Sequence, residues 1–144
     1  MARWHPLSTL PKINDVIWCR IPHRQSPTVP ADPPHPCVVR EIEKYEPLGQ
    51  AIVHVTRGTT SLKKDAREFL DLIVEHKEEL RVCGLSEPTR FDLDDAQNKV
   101  PCEWTDEFFP NPKPVGRLNL DCIRRMNNRL RGWNPVPDDY KAKA

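Results

Sequence analysis

The 144-residue chain has no long hydrophobic run, and no apolar stretch approaches the roughly 20 residues that a membrane-spanning helix requires. Residues 1–6 contain no apolar signal core, which predicts that the chain is not exported. An excess of one charge is also lacking, because 22 Lys and Arg face 21 Asp and Glu. Any contact with nucleic acid must therefore come from a local group of basic side chains rather than from overall charge.

The five cysteines include no CxxC pair, and their odd number prevents complete pairing into disulfides. This spacing argues against both a zinc knuckle and a disulfide framework. Reduced, mostly buried thiols are the simpler interpretation, and they indicate a cytoplasmic protein. We expect no membrane contact, no metal and no other cofactor.

Proline, by contrast, is abundant: the chain has 16, and they are concentrated between Pro22 and Pro36. Proline removes a backbone donor and fixes φ, so this segment cannot be a helix or a central strand. We predict a long, partly extended loop that links two strands. Loops of this length in a compact domain are commonly functional.

Runs of β-branched and aromatic residues bounded by turn residues predict five or six short strands. The candidates lie at 15–21, 37–42, 51–56, 69–74, 89–93 and 99–102. A short helix at 76–82 is predicted to end at Gly84. A C-terminal helix is predicted at 118–131 from its periodic apolar residues. The predicted buried face of that helix consists of Leu120, Ile123, Met126 and Leu130.

Short connections between the early strands favour antiparallel pairing. The predicted fold is therefore mainly β with α, a small antiparallel barrel or half-barrel with the C-terminal helix packed on it. The length fits a single domain, which we place at 13–133, after an N-terminal arm at 1–12 and before a flexible tail at 134–144. Trp4 and Leu7 are the expected apolar anchors of the arm.

Three strand-like segments follow one another in an informative order. They are Asn-Asp-Val-Ile-Trp at 14–18, His-Pro-Cys-Val-Val at 35–39 and Val-His-Val-Thr-Arg-Gly-Thr-Thr at 53–60. A later segment at 84–93 reads Gly-Leu-Ser-Glu-Pro-Thr-Arg-Phe-Asp-Leu. In these motifs and their order, the chain resembles a diverged member of the MazF/PemK-like family of toxin endoribonucleases from type II toxin–antitoxin pairs. The resemblance extends over about residues 12–133.

This resemblance implies a fold, an activity and partners. The fold would be a small antiparallel SH3-like β-barrel with a terminal helix, assembled as a homodimer. The activity would be metal-independent cleavage of single-stranded RNA that leaves 2′,3′-cyclic phosphate ends, and a cognate antitoxin would fill the RNA groove with an extended tail. The chain departs from the family at His35, where a catalytic Arg is usual, and at Asn14, where a Gly usually opens the first strand. Asn can adopt the positive φ of such a turn.

Cleavage of this kind begins with attack of a ribose 2′-hydroxyl on the adjacent phosphorus, and it requires a base, a cation and an acid. Histidine titrates near neutral pH, so His35 suits proton transfer. Arg57 suits the cation, because a guanidinium stays charged and grips phosphate through two hydrogen bonds. Thr59 or Thr60 would hold a phosphate oxygen or orient the nucleophile. The candidate RNA-binding residues are Arg20, His23, Arg24, Lys63 and Lys64.

Each candidate also has a purely structural explanation. His35 fits a loop residue that caps the start of a strand. The hydroxyls of Thr59 and Thr60 fit an ordinary turn, where they would satisfy backbone groups. Lys63 and Lys64 alternate with acidic residues and fit a solvated charged loop.

In an alternative function, the protein has the same barrel fold but no nuclease activity. The protein would then be a catalytically degenerate barrel that acts as a protein- or nucleic-acid-binding inhibitor module, of the kind that a phage or mobile element encodes. The histidine at position 35 and a group of acidic residues favour this alternative, whereas the threonine cluster favours the nuclease. Trp18 fits the core or rim of the barrel, and stacking on an RNA base is its functional alternative. The acidic residues are Asp92, Asp94, Asp95, Glu103, Asp106 and Glu107.

Overall fold

A computed structural model describes residues 2–60 and 71–132, and these residues build one curled antiparallel sheet. The strands are β1 (Asp15–Cys19), β2 (His35–Tyr45), β3 (Gln50–Thr59), β4 (Asp71–Val74), β5 (Thr89–Asp92), β6 (Val100–Glu103) and β7 (Gly116–Arg117). Neighbouring strands follow the order β4–β5–β3–β2–β1–β7, and β6 pairs with β3 outside this order. The helices within the described ranges are α1 (Lys77–Cys83), α2 (Asp95–Asn98) and α3 (Leu120–Gly132). None of these helices is long and apolar enough to cross a membrane.

The long hairpin of β2 and β3 forms the centre of the sheet. Its register pairs Val39 with Val55, and a bulge at Arg40 shifts the register before Glu41 pairs with His54. A bulge of this kind bends the strand and increases its twist. The outer edge of β3 is shared by β6 over its first half and by β5 at its last two residues. The sheet therefore curls into a half-barrel, which confirms the predicted antiparallel fold with a C-terminal helix.

Both faces of the sheet are covered by hydrophobic clusters. Because side chains alternate along a strand, Val16 of β1 belongs to one cluster and its neighbour Ile17 to the other. The first cluster includes Phe91 and, from α3, Met126; the second includes Trp104. Complete burial of one large apolar side chain stabilises the fold by about 1.5–3 kcal/mol. Apolar packing therefore covers much of both faces of the sheet.

The N-terminal arm lies on the second cluster. Trp4 forms a β-bridge with Thr105, and Leu7, in the 3₁₀ turn Leu7–Thr9, packs against that cluster. The prediction of buried, unpaired thiols is confirmed, because all five cysteines are buried and free. Burial raises the pKa of the Cys19 thiol, so this thiol stays protonated and unreactive.

Three local predictions are confirmed by the backbone. Asn14 has a φ of 78°, the left-handed conformation expected at the turn before β1. Helix α1 ends at Gly84, whose φ is 72° and whose N–H donates to the carbonyls of Leu80 and Arg81. The proline-rich segment between β1 and β2 contains turns and neither helix nor strand.

The buried face of α3 differs from the prediction. The helix begins at Leu120 because the side chain of Asn119 accepts a hydrogen bond of 2.8 Å from the N–H of Cys122, as an N-cap does. The placement of Leu120 in the buried face was wrong, since its side chain is 78% exposed. Cys122 and Met126, which are four residues apart and share one face, are buried instead, together with Leu118 ahead of the helix.

Some predicted boundaries also change. β2 begins at His35 and β3 continues to Thr59, so both strands are longer than predicted. The predicted strand at 69–74 is described only at Asp71–Val74, and Lys63 and Lys64 lie outside the described residues. Helix α2 and strand β7, of four and two residues, were not predicted because elements this short leave no periodic pattern.

Candidate functional site

The antiparallel pairing of β2 and β3 brings the start of one strand beside the end of the other. Cys37 pairs with Arg57, so His35, two residues earlier on β2, lies at the level of Thr59, two residues later on β3. His35, Arg57, Thr59 and Thr60 line one open groove of about 410 Å³. The structure therefore brings together the four residues that the sequence predicted to be catalytic.

Two further elements of the described structure line the groove. Strand β1 contributes Trp18, whose side chain is 42% exposed, whereas Trp104 is fully buried in the core. The loop after α1 contributes Gly84, Leu85, Ser86, Glu87 and Thr89. Sequence reasoning did not assign Glu87 to the site. The signal was the motif at 84–93 that carries the family resemblance, although no local pattern shows that this loop faces β2 and β3.

His35 is half-buried, and its electrostatic surroundings favour the neutral imidazole. Partial burial lowers the pKa of His35 from 6.5, and the positive charge of Arg57 lowers it further. His35 and Arg57 line the same groove. Histidine can transfer a proton, and it serves less well as a permanent positive charge than arginine does.

Among the described residues that line the groove, Arg57 supplies the fixed positive charge. Its side chain is exposed, and among the described residues its guanidinium has no ion pair or hydrogen-bond partner. The guanidinium is thus open to a phosphate, which it can bind through two parallel hydrogen bonds. Thr59 and Thr60 follow it on the same wall and place two hydroxyl groups beside this charge.

Of the predicted RNA-binding residues, the three that the structure describes do not line this groove. Arg20 forms an ion pair of 2.8 Å with Asp32, and Arg24 donates a hydrogen bond of 2.9 Å to Gln97. His23 and Arg24 line a second groove of about 330 Å³ beside β6. The side chains of Arg20 and Arg24 therefore have protein partners, which sequence spacing could not reveal.

A separate polar cluster lies farther along the β2–β3 hairpin. The ligand-forming atoms of Glu41, Glu43 and His54 lie within 4.8 Å of one another, and among the described residues this is the group that could hold a metal ion. A hydrogen bond from His54 lowers the pKa of Glu43, and an ion pair of 2.7 Å with Lys99 lowers the pKa of Glu41. Both carboxylates therefore already have protein partners, as expected for a cross-strand network.

The groove at His35 combines an imidazole, a guanidinium and two hydroxyls in one open cleft. This set suits a reaction at a phosphodiester, because it offers proton transfer, charge stabilisation and hydrogen bonds to phosphate oxygens. In comparisons with known proteins, no family model and no curated sequence matches the chain. The function is therefore inferred from the motifs and from the geometry of this groove.

Proposed function

We propose that the protein is a metal-independent endoribonuclease that cleaves single-stranded RNA in the manner of the MazF/PemK-like toxins. The observation that carries this proposal is the meeting of His35, Arg57, Thr59 and Thr60 in one groove at the paired ends of β2 and β3. His35 is distant in the sequence from the other three, and only the register of the hairpin joins them.

The groove residues fit the steps of 2′-hydroxyl attack. Arg57 would neutralise the charge that builds on the phosphate oxygens, and loss of one such donor typically lowers kcat by about 10²–10³-fold. His35 would transfer a proton, a contribution worth about 10²–10⁴-fold. The hydroxyls of Thr59 and Thr60 would bind a non-bridging oxygen and hold the phosphate in place.

The shape of the groove supports a single-stranded substrate. It is open to solvent, and the exposed indole of Trp18 forms part of its rim. An unpaired base can stack on such a ring, which contributes about 1–3 kcal/mol per base. Bases inside a duplex are already stacked and cannot make this contact.

The partners belong to the same proposal. An antitoxin with an extended tail would occupy the groove and cover Trp18 and Arg57, and the active protein would be a homodimer in the cytoplasm. The support for these partners is the family resemblance carried by the motifs at 14–18, 35–39, 53–60 and 84–93.

A second candidate function is a binding module without nuclease activity. The observation that favours it is the internal pairing of Arg20 with Asp32 and of Arg24 with Gln97, which takes two predicted phosphate-binding arginines into protein contacts.

The two functions differ in the salt dependence of RNA binding. Each phosphate neutralised on single-stranded RNA contributes about −0.7 to the slope of log K against log salt. Under the nuclease proposal, Arg57→Ala should remove about one such contribution.

The proposal is tested with two oligonucleotides of one sequence, one RNA and one DNA. The wild-type protein should cleave only the RNA, because DNA lacks the attacking 2′-hydroxyl. His35→Ala should lower the rate by about 10²–10⁴-fold. His76→Ala is the matched control, since His76 is exposed at the N-cap of α1 and outside the groove. Cleavage of both oligonucleotides, or equal rates for the two histidine variants, would contradict the proposal.

A further inference from the structure

We propose that Glu87 is the base that removes the 2′-hydroxyl proton and that His35 is the acid that protonates the leaving 5′-oxygen. This inference rests on the proposed endoribonuclease function and names the second proton-transfer group that the function requires. Three of the described residues that line the groove carry ionisable side chains: His35 from β2, Arg57 from β3 and Glu87 from the loop after α1. β1 contributes only the uncharged Trp18. One imidazole, one guanidinium and one carboxylate can serve as acid, fixed cation and base.

The loop that carries Glu87 is anchored on both sides. Gly84 ends α1 in the left-handed conformation, and a Cβ at this position would lie 2.3 Å from the carbonyl oxygen of Val115, so the two backbones are in close contact. Leu85 is buried in the first hydrophobic cluster. After Glu87, the hydroxyl of the buried Thr89 donates a hydrogen bond of 2.8 Å to the Glu87 carbonyl. The backbone of Glu87 is therefore held at the groove before any substrate binds.

The side chain of Glu87 is available for chemistry. It is exposed at the groove, and the structure of residues 2–60 and 71–132 gives its carboxylate no ion pair or hydrogen bond. The neighbouring Ser86 also lines the groove, but a hydroxyl is far too weak a base to take this proton near neutral pH. The oxygens of the Glu87 carboxylate can accept this proton, and Arg57 lies in the same groove.

The assignment gives a balanced step. The Glu87 carboxylate takes the proton of the 2′-hydroxyl, and the 2′-oxygen forms a bond to phosphorus while the bond from phosphorus to the 5′-oxygen breaks. The protonated form of His35, which its surroundings make the less populated form near neutral pH, gives its proton to the 5′-oxygen. The products are a 2′,3′-cyclic phosphate and a 5′-hydroxyl, and Glu87 and His35 exchange protons with water to return to their starting forms.

Two substrates separate the roles of the two residues. The first is a dinucleotide RNA, whose 5′-oxygen must be protonated as it leaves. The second is a nucleoside 3′-(4-nitrophenyl phosphate), whose nitrophenolate leaves without a proton and so needs no acid. Glu87→Gln should lower the rate on both substrates by about 10²–10⁴-fold. His35→Ala should lower the rate strongly on the dinucleotide and little on the nitrophenyl substrate. Glu46→Gln, an exposed residue beyond the far end of β2, should match the wild type on both.

The pH profile provides the independent readout. Since partial burial and the charge of Arg57 lower the pKa of His35 from 6.5, the wild-type rate on the dinucleotide should fall as pH rises through a value below 6.5. Glu87→Asp, which keeps a carboxylate, should retain more of the dinucleotide activity than Glu87→Gln does.

The rates on these two substrates distinguish a failure of the proposed function from a failure of the role assigned to Glu87. Wild-type protein that cleaves neither substrate contradicts the proposed function itself. Active wild-type protein with a fully active Glu87→Gln variant overturns the role of Glu87 alone. A Glu87→Gln loss confined to the dinucleotide also overturns the assignment, because it would make Glu87 the acid.

Discussion

Replacement of Gly84 by alanine should disturb the contact that fixes the Glu87 loop against the sheet edge. The φ of 72° disfavours any side chain, at a cost of about 1–2 kcal/mol. The new Cβ would also lie 2.3 Å from the Val115 oxygen and 2.7 Å from its carbon, and relief of such overlap costs about 1–3 kcal/mol. Alanine also restricts the unfolded chain more than glycine does, which offsets about 0.4–1 kcal/mol of the lost stability. The expected loss in the free energy of unfolding is about 2–4 kcal/mol.

Substitutions at two other glycines separate the conformational cost of a positive φ from the steric cost of the added Cβ. Gly49 has a φ of 65°, but a Cβ added there would meet no atom within 4 Å, so Gly49→Ala should show the conformational cost alone. Gly116 has no positive φ, yet a Cβ there would lie 2.3 Å from the Cys83 carbonyl carbon, so Gly116→Ala should show the steric cost alone. The Gly84→Ala loss should approach the sum of the other two.

Urea unfolding followed by circular dichroism measures all three variants, and cleavage of the dinucleotide RNA measures the effect on the site. Gly84→Ala should also slow cleavage, because the alanine displaces the loop that carries Glu87. Gly49→Ala lies at the other end of β2 and should leave cleavage unchanged. If Gly84→Ala costs no more stability than Gly49→Ala, the close contact with Val115 does not exist in solution and does not hold the loop.

Three further predictions concern stability. Met126→Ala should lower the free energy of unfolding by about 2–5 kcal/mol, whereas Leu120→Ala should stay within about 0.5 kcal/mol; equal effects in urea unfolding would contradict the assigned face of α3. Glu79→Gln should cost about 1–3 kcal/mol, because it removes the negative charge and one of the two oxygens that accept bonds of 2.8 and 2.9 Å from Arg125 and join α1 to α3; an unchanged thermal midpoint would refute this. Because the pKa of His35 is lower in the folded protein, the unfolded chain binds this proton more readily. The free energy of unfolding should therefore rise with pH between the lowered folded pKa and 6.5. His35→Gln should flatten that part of the plot of unfolding free energy against pH, and an unchanged slope would contradict the direction of the shift.

The sheet could be predicted from the sequence because its signals are local. Runs of β-branched residues give strands, and the left-handed residues at Asn14 and Gly84 mark where elements begin and end. The face of α3 was harder to predict, because an apolar residue such as Leu120 fits a helical period whether or not it faces the core. The N-cap at Asn119 sets the start of the helix, but it does not show which face packs on the sheet.

The site was predictable only in part. His35 and Thr59 were found through the motifs that carry the family resemblance, although both lie just outside the predicted strands at 37–42 and 51–56. The position of Glu87 depends on the packing of the loop after α1 against β7 and β3, and no periodic pattern encodes such a long-range contact. The partners of Arg20 and Arg24 depend in the same way on the path of the proline loop.

The most direct test of the central claim is the chemistry of the cleaved ends. Purified wild-type protein in EDTA should cut a long single-stranded RNA and leave 2′,3′-cyclic phosphate or 3′-phosphate ends with 5′-hydroxyl partners, as mass spectrometry of the fragments would show. Attack by the 2′-oxygen under the control of His35, Arg57 and Glu87 predicts this result without a metal ion. Fragments with 5′-phosphate ends, or cleavage that appears only when Mg²⁺ is added, would contradict the account.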